Sequence, residues 1–286
     1  MCKITVKGFF ERFPNDDTCL EHVMVLRYGL KRDCPKCAKP TEFYRLSKRP
    51  AYSCKLCGHH IYPCAGTPFE NTRTPLQSWF YAIYLFTTTR HGVPAKELQR
   101  QLGVTYKTAW RMGHEIRKFM GVVDGDNSLS GHVEMDETFV GGKSHQIGKP
   151  DASSNKTAVF GMVERGGDVL TRAIPDTRKE NILPVITQYV APGTHVSTDE
   201  YKLYRRLPNM GYTHSAVEHR RHEYVRGQTH TNTIEGFWAQ FKNSVRGTHK
   251  SISRKHMQKY LAEFEFRFNL RGPSASSMFD RLIRAF

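Results

Sequence analysis

Four cysteines constrain the start of this chain more tightly than any other feature. Cys34 and Cys37 stand in CPKC, and Cys54 and Cys57 in CKLCG, giving C-x2-C, sixteen intervening residues and C-x2-C. Zinc sites use this spacing. Four thiolates around a tetrahedral ion close its shell, so the ion is structural. Gly58 follows the second pair, where a tight metal-binding turn leaves little room for a side chain. Between the pairs, EFYRL and AYSC read as short strands. The expectation is a zinc ribbon over residues 31–66. All seven cysteines fall within the first 64 residues. That clustering fits metal in a reducing compartment rather than disulfides. Cys2, Cys19 and Cys64 lack a partner at useful spacing and read as small packing residues. His59 and His60 adjoin the site, but the cysteines already fill the shell.

A chain of 286 residues has room for more than one domain. Lys plus Arg number 43 against 27 Asp plus Glu, a formal charge of +16, which is a common footprint of a nucleic-acid partner. The longest apolar stretch, WFYAIYLF at 79–86, is far short of the roughly 20 residues a bilayer span needs. The N-terminus lacks the pattern of a signal peptide, since Phe9 and Phe10 run straight into ERFPNDD. The expectation is a soluble intracellular protein with no membrane partner.

Residues 1–30 read as a helical lead-in. Asn15 or Asp16 caps a helix carrying Cys19, Leu20, Val23 and Leu26, and Gly29 stops it. Residues 67–74 form a polar linker. Residues 75–121 read as a helix-turn-helix domain. Its first helix sets Leu76, Trp79, Phe80, Ile83 and Tyr84 on one face. Pro94 opens a second, AKELQRQL. Gly103-Val104-Thr105 makes the turn, and Thr105 caps a third, YKTAWRMGHEIRKFM. Ala109, Met112 and Ile116 face its core. Lys107, Thr108 and Arg111 lie near the start of the third helix, where a recognition helix reads the major groove. An ordinary helical hairpin is the competing reading of the same pattern. Residues 122–131, VVDGDNSLSG, have linker composition.

Residues 132–270 read as a large α/β domain, and 271–286 as a C-terminal tail. Strands are expected at 132–139, 157–164, 168–174 and 195–198, with a weak one at 212–217. Helices are expected at 179–190, 200–207, 232–245 and 253–269. EFEFRFN alternates like a strand, but KHMQKYLAEF before it keeps the segment helical. A sheet that starts antiparallel and then gains αβ units is the order of a ribonuclease-H-like fold.

Three acids in this domain sit on separate elements. Asp136 closes HVEMD on the first strand, Asp199 follows the strand HVST, and Glu235 lies on a helix after a gap of 35 residues. Asp136 would bridge two magnesium or manganese ions, with Asp199 and Glu235 each closing one site. Hard oxygen ligands suit such ions, and paired ions cut and rejoin phosphodiesters. Lys242, two helical turns beyond Glu235 on the same side, would meet a DNA phosphate as a point charge. Glu134 shares a strand face with Asp136 and competes with it, whereas Glu137 faces the other way. Asn232 shares a helical face with Glu235 and is the alternative third ligand or a helix cap. Trp238 and Phe241 read as core. The basic stretch at 219–230 reads as a solvated loop or a DNA contact, and Gly141-Gly142 as a hairpin turn.

These motifs resemble the zinc-ribbon DDE transposases of bacterial insertion sequences, the family numbered fifteen ninety-five. The resemblance rests on FFERFPNDDTCLEHVMVLRYG before CPKC, on HVEMDETFVGGK, on STDEY, and above all on the long segment from HTNTIEGFWAQFK to FEFRFNLR. It implies a multimeric enzyme that binds double-stranded DNA at terminal inverted repeats and cleaves there. The enzyme would then join 3′-hydroxyls to target DNA. It implies a bacterial, cytoplasmic, DNA-associated location. In that family the third catalytic position also occurs as Asn or His, which keeps Asn232 open. An inactive DNA-binding regulator of transposase descent and a stand-alone metal nuclease are the alternatives.

Overall fold

The computed structural model describes residues 5–141, 156–221, 223, 225–272 and 275–286. The chain divides into two compact units. One comprises residues 1–89, 93–119 and 273–286; the other comprises 90–92 and 120–272.

The first unit opens with helices α1 (Val6–Arg12) and α2 (Asp16–Arg27). Asn15 caps α2, its side chain accepting from Thr18 N at 3.0 Å. Strands β1 (Lys31–Asp33), β2 (Pro40–Arg45), β3 (Tyr52–Cys54) and β4 (His60–Ile61) form an antiparallel sheet in that order. The two expected strands correspond to β2 and β3. Helices α3 (Leu76–Thr88), α4 (Ala95–Leu102) and α5 (Tyr106–Asp124) follow. Gly103 terminates α4 at φ +65, a left-handed conformation that favours glycine. Thr105 Oγ1 then accepts from Thr108 N at 3.2 Å, capping α5. Leu76, Trp79, Phe80, Ile83, Ala109, Met112 and Ile116 are all buried.

The second unit contains a five-stranded sheet. Its strands are β5 (His132–Val140), β6 (Thr157–Glu164), β7 (Val169–Ile174), β8 (His195–Thr198) and β9 (Thr213–Ala216). Their spatial order is β7-β6-β5-β8-β9. The pairs β5–β6 and β6–β7 are antiparallel, while β5–β8 and β8–β9 are parallel. Helix α6 (Lys179–Tyr189) provides the crossover to β8 that a parallel neighbour requires. Residues 202–210 form a 3-10 helix between β8 and β9.

Strand alternation builds two cores. Val133, Met135, Phe160 and Met162 pack with Ile182 and Ile186 of α6 and with Leu203, Tyr204 and Leu207. On the other face Val159, Val163 and Val169 pack against α7 (Asn232–Ser244) and α8 (Met257–Asn269) through Ile234, Trp238, Phe241, Leu261 and Phe264. Burial of each large apolar side chain contributes about 1.5–3 kcal/mol. EFEFRFN is helical, as expected from the segment before it.

Two segments depart from the sequence reading. Residues 271–286 are not a tail, because α9 (Ala275–Ala285) belongs to the first unit and packs on α2 and α3. Phe279, Leu282, Ile283 and Phe286 form an i, i+3, i+4, i+7 stripe, and all are buried. The second departure is at 122–131. Helix α5 runs on to Asp124, and Leu129 is buried and bridged in parallel to Val190. A single apolar anchor overrides the linker composition there. No helix among the described residues is long and apolar enough to cross a membrane.

Candidate functional site

The cysteine set is assembled as its spacing predicts. The sulfurs of Cys34, Cys37, Cys54 and Cys57 all lie within 4.8 Å of one another. Cys34 and Cys57 are 3.6 Å apart. A tetrahedron with Zn–S bonds near 2.3 Å has edges of about 3.8 Å, so the donors fit zinc in number, softness and spacing. Each pair sits on a tight turn closed by a backbone hydrogen bond. Ala38 N donates to Cys34 O at 2.8 Å, and Gly58 N to Cys54 O at 3.0 Å. Both closing residues have positive φ, +52 at Ala38 and +68 at Gly58. Glycine relieves the second turn, and the first carries the strain on alanine. Cys19 and Cys64 stand outside the set, and burial pushes their thiols up to about 12 and about 11. Cys2 lies outside the described residues.

The acids of the second unit are brought together by strand register. In the parallel pairing of β5 with β8, Glu134 lies opposite Ser197. Carried on by two residues, that register sets Asp136 abreast of Asp199. Both line a cleft of about 780 Å³ together with Glu137, Arg205, Arg220 and Arg221. Asp199 Oδ1 accepts from Tyr201 N at 3.0 Å, which fixes the carboxylate just past the strand end. Glu235 lies in the first turn of α7 and Lys242 in its last. Thr231 Oγ1 donates to Glu235 Oε1 at 2.7 Å.

The charges of Asp199, Glu235 and Lys242 all act on the Asp136 carboxyl. Burial pushes the Asp136 carboxyl up to about 7; the negative charges of Asp199 and Glu235 add to the rise, while a hydrogen bond from the Glu137 backbone and the charge of Lys242 oppose it. The oxygens of the three acids are spread more widely than the cysteine sulfurs. Among the described residues only the cysteines form a group within 4.8 Å.

The neighbours of these acids have other tasks. Glu134, on the same face as Asp136, is fully buried and bonded to the start of α7. Glu137 faces the opposite core, where Tyr204 OH donates to it; burial pushes its carboxyl up to about 8. Asn232 is the exposed first residue of α7, and Thr231 occupies the cap position. Trp238 and Phe241 are core residues. In the first unit Lys107 and Arg111 are exposed on α5, with Arg111 5.3 Å from the Trp79 ring centroid. Thr108 is engaged by its own helix cap. The stretch 219–230 and the pair Gly141-Gly142 fall partly outside the described residues.

Gly161 had no signal in the sequence apart from being a glycine within a strand. It pairs with Asp136 across β5 and β6. A Cβ there would overlap Trp238 Cζ2 and lie 2.8 Å from Trp238 Cη2 and 3.0 Å from Ile234 Cδ1. The bare backbone is what lets α7 approach the strand beside Asp136.

Residues 14–60 match the transposase zinc-ribbon domain, and residues 128–269 match the ISXO2-like transposase domain. An uncharacterized protein in transposable element ISH50 of Halobacterium salinarum is 28% identical over 255 residues, covering 82% of this chain and 84% of that one. An uncharacterized transposase-like protein of Haemophilus influenzae is 30% identical over 101 residues, covering 35% of this chain and 80% of that one. Among solved structures, the crystal structure of a pre-cleavage Mos1 transpososome aligns with 67% of this chain and 72% of that one. Its TM-score of 0.28 and 12% identity are too low to bear on the fold. The two matched domains and the transposase-like relative lead to one conclusion: the chain belongs to the ISXO2-like transposase family.

Proposed function

We propose that this protein cuts DNA at the terminal inverted repeats of an insertion sequence and joins the freed 3′-hydroxyls to target DNA. The observation that carries the proposal is that Asp136 and Asp199 line one cleft on the neighbouring strands β5 and β8, with Glu235 and Lys242 near enough for their charges to act on the Asp136 carboxyl. The sheet order supports a ribonuclease-H-like domain over 132–270. Helices α4 and α5, joined at Gly103, support a helix-turn-helix within 75–121.

In this reading the carboxylates of Asp136, Asp199 and Glu235 would together hold two magnesium or manganese ions. The bound ions would supply an activated oxygen nucleophile and offset charge on the leaving oxygen. Asp199 is held for its role by the Tyr201 backbone N–H, and Glu235 by the Thr231 hydroxyl. Asn232, exposed and uncharged, is the weaker ligand. Lys242 orients a phosphate of the cut strand. Arg205, Arg220 and Arg221 line the cleft and would meet the backbone of double-stranded DNA, with Arg220 and Arg221 exchanging their ion pairs to Glu200 and Glu218 for phosphates. Lys107, Thr108 and Arg111 face the repeat, with Thr108 also serving the helix cap. The zinc ribbon over 31–66 braces the N-terminal region. The protein works as a homo-oligomer that bridges two element ends, on DNA in the bacterial cytoplasm.

The test is strand joining by purified protein on labelled duplexes that carry the terminal sequences flanking its gene. Magnesium-dependent joined products, absent with Asp199→Asn, are expected. Repeat binding without cleavage would instead mark an inactive DNA-binding descendant, and hydrolysis without joining a nuclease.

A further inference from the structure

Helix α7 begins without a cap of its own. Its cap residue, Thr231, makes no side-chain hydrogen bond to the helix N–H groups. Instead its hydroxyl is turned to Glu235. The open N–H groups are taken by a carboxylate from far away in the sequence. Glu134 Oε2 accepts from Thr233 N at 2.7 Å and from Ile234 N at 3.2 Å. Glu134 Oε1 accepts from Thr233 Oγ1 at 2.9 Å. An N-cap side chain ordinarily satisfies these same positions. The negative charge also suits the positive end of the helix.

A fully buried carboxylate needs a counter-charge. Arg165 supplies it, with Nε donating to Glu134 Oε1 at 2.8 Å. The rest of the guanidinium holds the approach to α7. Nη1 donates to Gln228 O at 2.6 Å, and Nη2 to His230 O at 3.0 Å. Nη1 also lies 3.1 Å from His132 Nδ1, and His132 Nε2 is 2.7 Å from Ser197 Oγ on β8. The network therefore touches both acid-bearing strands and the segment that leads into the acid-bearing helix.

We infer that Glu134, held by Arg165, is the positioning residue that fixes Glu235 relative to Asp136. Glu134 stands two residues before Asp136 on β5, and its last bond is to Ile234, the residue before Glu235. Alternation on β5 keeps Glu134 and Asp136 on one face. One short rigid path thus runs from the first acid to the third. Glu134 itself does not reach the reacting atoms. This inference rests on the proposed role of Glu235 as a metal ligand.

The experiment is Mn2+ titration of the full-length protein, with free Mn2+ read by electron paramagnetic resonance. The variants are Glu134→Gln, Thr233→Val, Thr233→Ser and Glu235→Gln. Zinc content and circular dichroism report folding. Glu235→Gln weakens Mn2+ binding directly. Glu134→Gln is expected to weaken it about 10-fold with the fold intact, the low end of what loss of a ligand's own hydrogen-bond partner costs, because Glu134 holds the helix that carries Glu235 rather than its carboxylate. Amide exchange at Thr233 and Ile234 rises in parallel. Thr233→Val moves affinity in the same direction, and Thr233→Ser restores it. If Glu134→Gln does not fold, the Thr233 pair decides: equal Mn2+ affinity in the valine and serine variants overturns the inference. Wild-type affinity in Glu134→Gln, with weakened binding in Glu235→Gln, overturns the positioning role alone. Wild-type affinity in Glu235→Gln overturns the metal-ligand reading and this inference with it.

Discussion

Asp136 and Asp199 come side by side because β5 and β8 pair in parallel at a register that matches Glu134 to Ser197. Neither acid needs a long or flexible segment to reach the other. Their meeting follows from the crossover through α6, which brings β8 back beside β5 with its C-terminal end at the same edge. Substituting either acid should therefore remove catalysis without disturbing repeat recognition. Asp136→Asn and Asp199→Asn are each expected to lower strand cleavage by at least about 10³-fold, since metal-supplied charge stabilisation is worth several kcal/mol. Gel-shift affinity for the repeat should stay close to wild type. Cleavage at wild-type rate in either variant would sink the assignment.

Gly161 sets the distance between α7 and the strand that pairs with β5. In Gly161→Ala the new methyl collides with the Trp238 ring, which is buried and cannot swing away. Overpacking of this kind costs about 1–3 kcal/mol. The helix can relieve the clash only by moving off the sheet, and Glu235 moves with it. Lower thermal stability is expected, together with a higher Mg2+ concentration for half-maximal cleavage. Unchanged stability would mean that Trp238 repacks freely.

Much of this molecule can be read from its sequence, and the unread part has a common cause. The ribbon was legible because zinc chemistry fixes cysteine spacing. The strands and helices of the second unit were legible because periodicity shows in local sequence. Asp199 and Glu235 were legible as acids at element ends and Asp136 as an acid within the first strand, but their approach to one another depends on strand order, which no local pattern carries. Glu134 read only as a rival to Asp136, because a cap supplied from 99 residues away leaves no trace near the helix it caps. Helix α9 was missed although its apolar stripe is plain, because a short terminal segment gives no hint of the surface it covers.

Zinc removal should act on the ribbon and not on the sheet. Cys34→Ser deletes one of four ligands on a site whose metal binding supplies folding free energy. Bound zinc is expected to fall from about one equivalent to near zero, because a structural site needs its closed shell. Amide exchange over 31–61 should accelerate while β5 and β6 stay protected. Zinc retained at the wild-type level would contradict the four-cysteine site.

The last prediction concerns pH. Glu265 on α8 is buried, and burial pushes its carboxyl up to about 7; hydrogen bonds from Thr171 and the charge of Arg172 oppose the rise. In the unfolded chain the same group titrates near its ordinary value of 4.5. Between those two values the folded protein holds a proton that the unfolded chain has released. Its contribution is therefore fully present at low pH and is lost as pH rises toward 7. Glu265→Gln cannot titrate and serves as the reference. Relative to it, the wild type should lose about 2–3 kcal/mol between pH 4.5 and pH 8, at 1.36 kcal/mol per unit of pKa difference. Urea unfolding of both proteins across that range, without added Mg2+ or Mn2+, measures the difference. A gap between them that stays flat with pH would place the Glu265 carboxyl at its ordinary value and remove the buried proton from the account of this core.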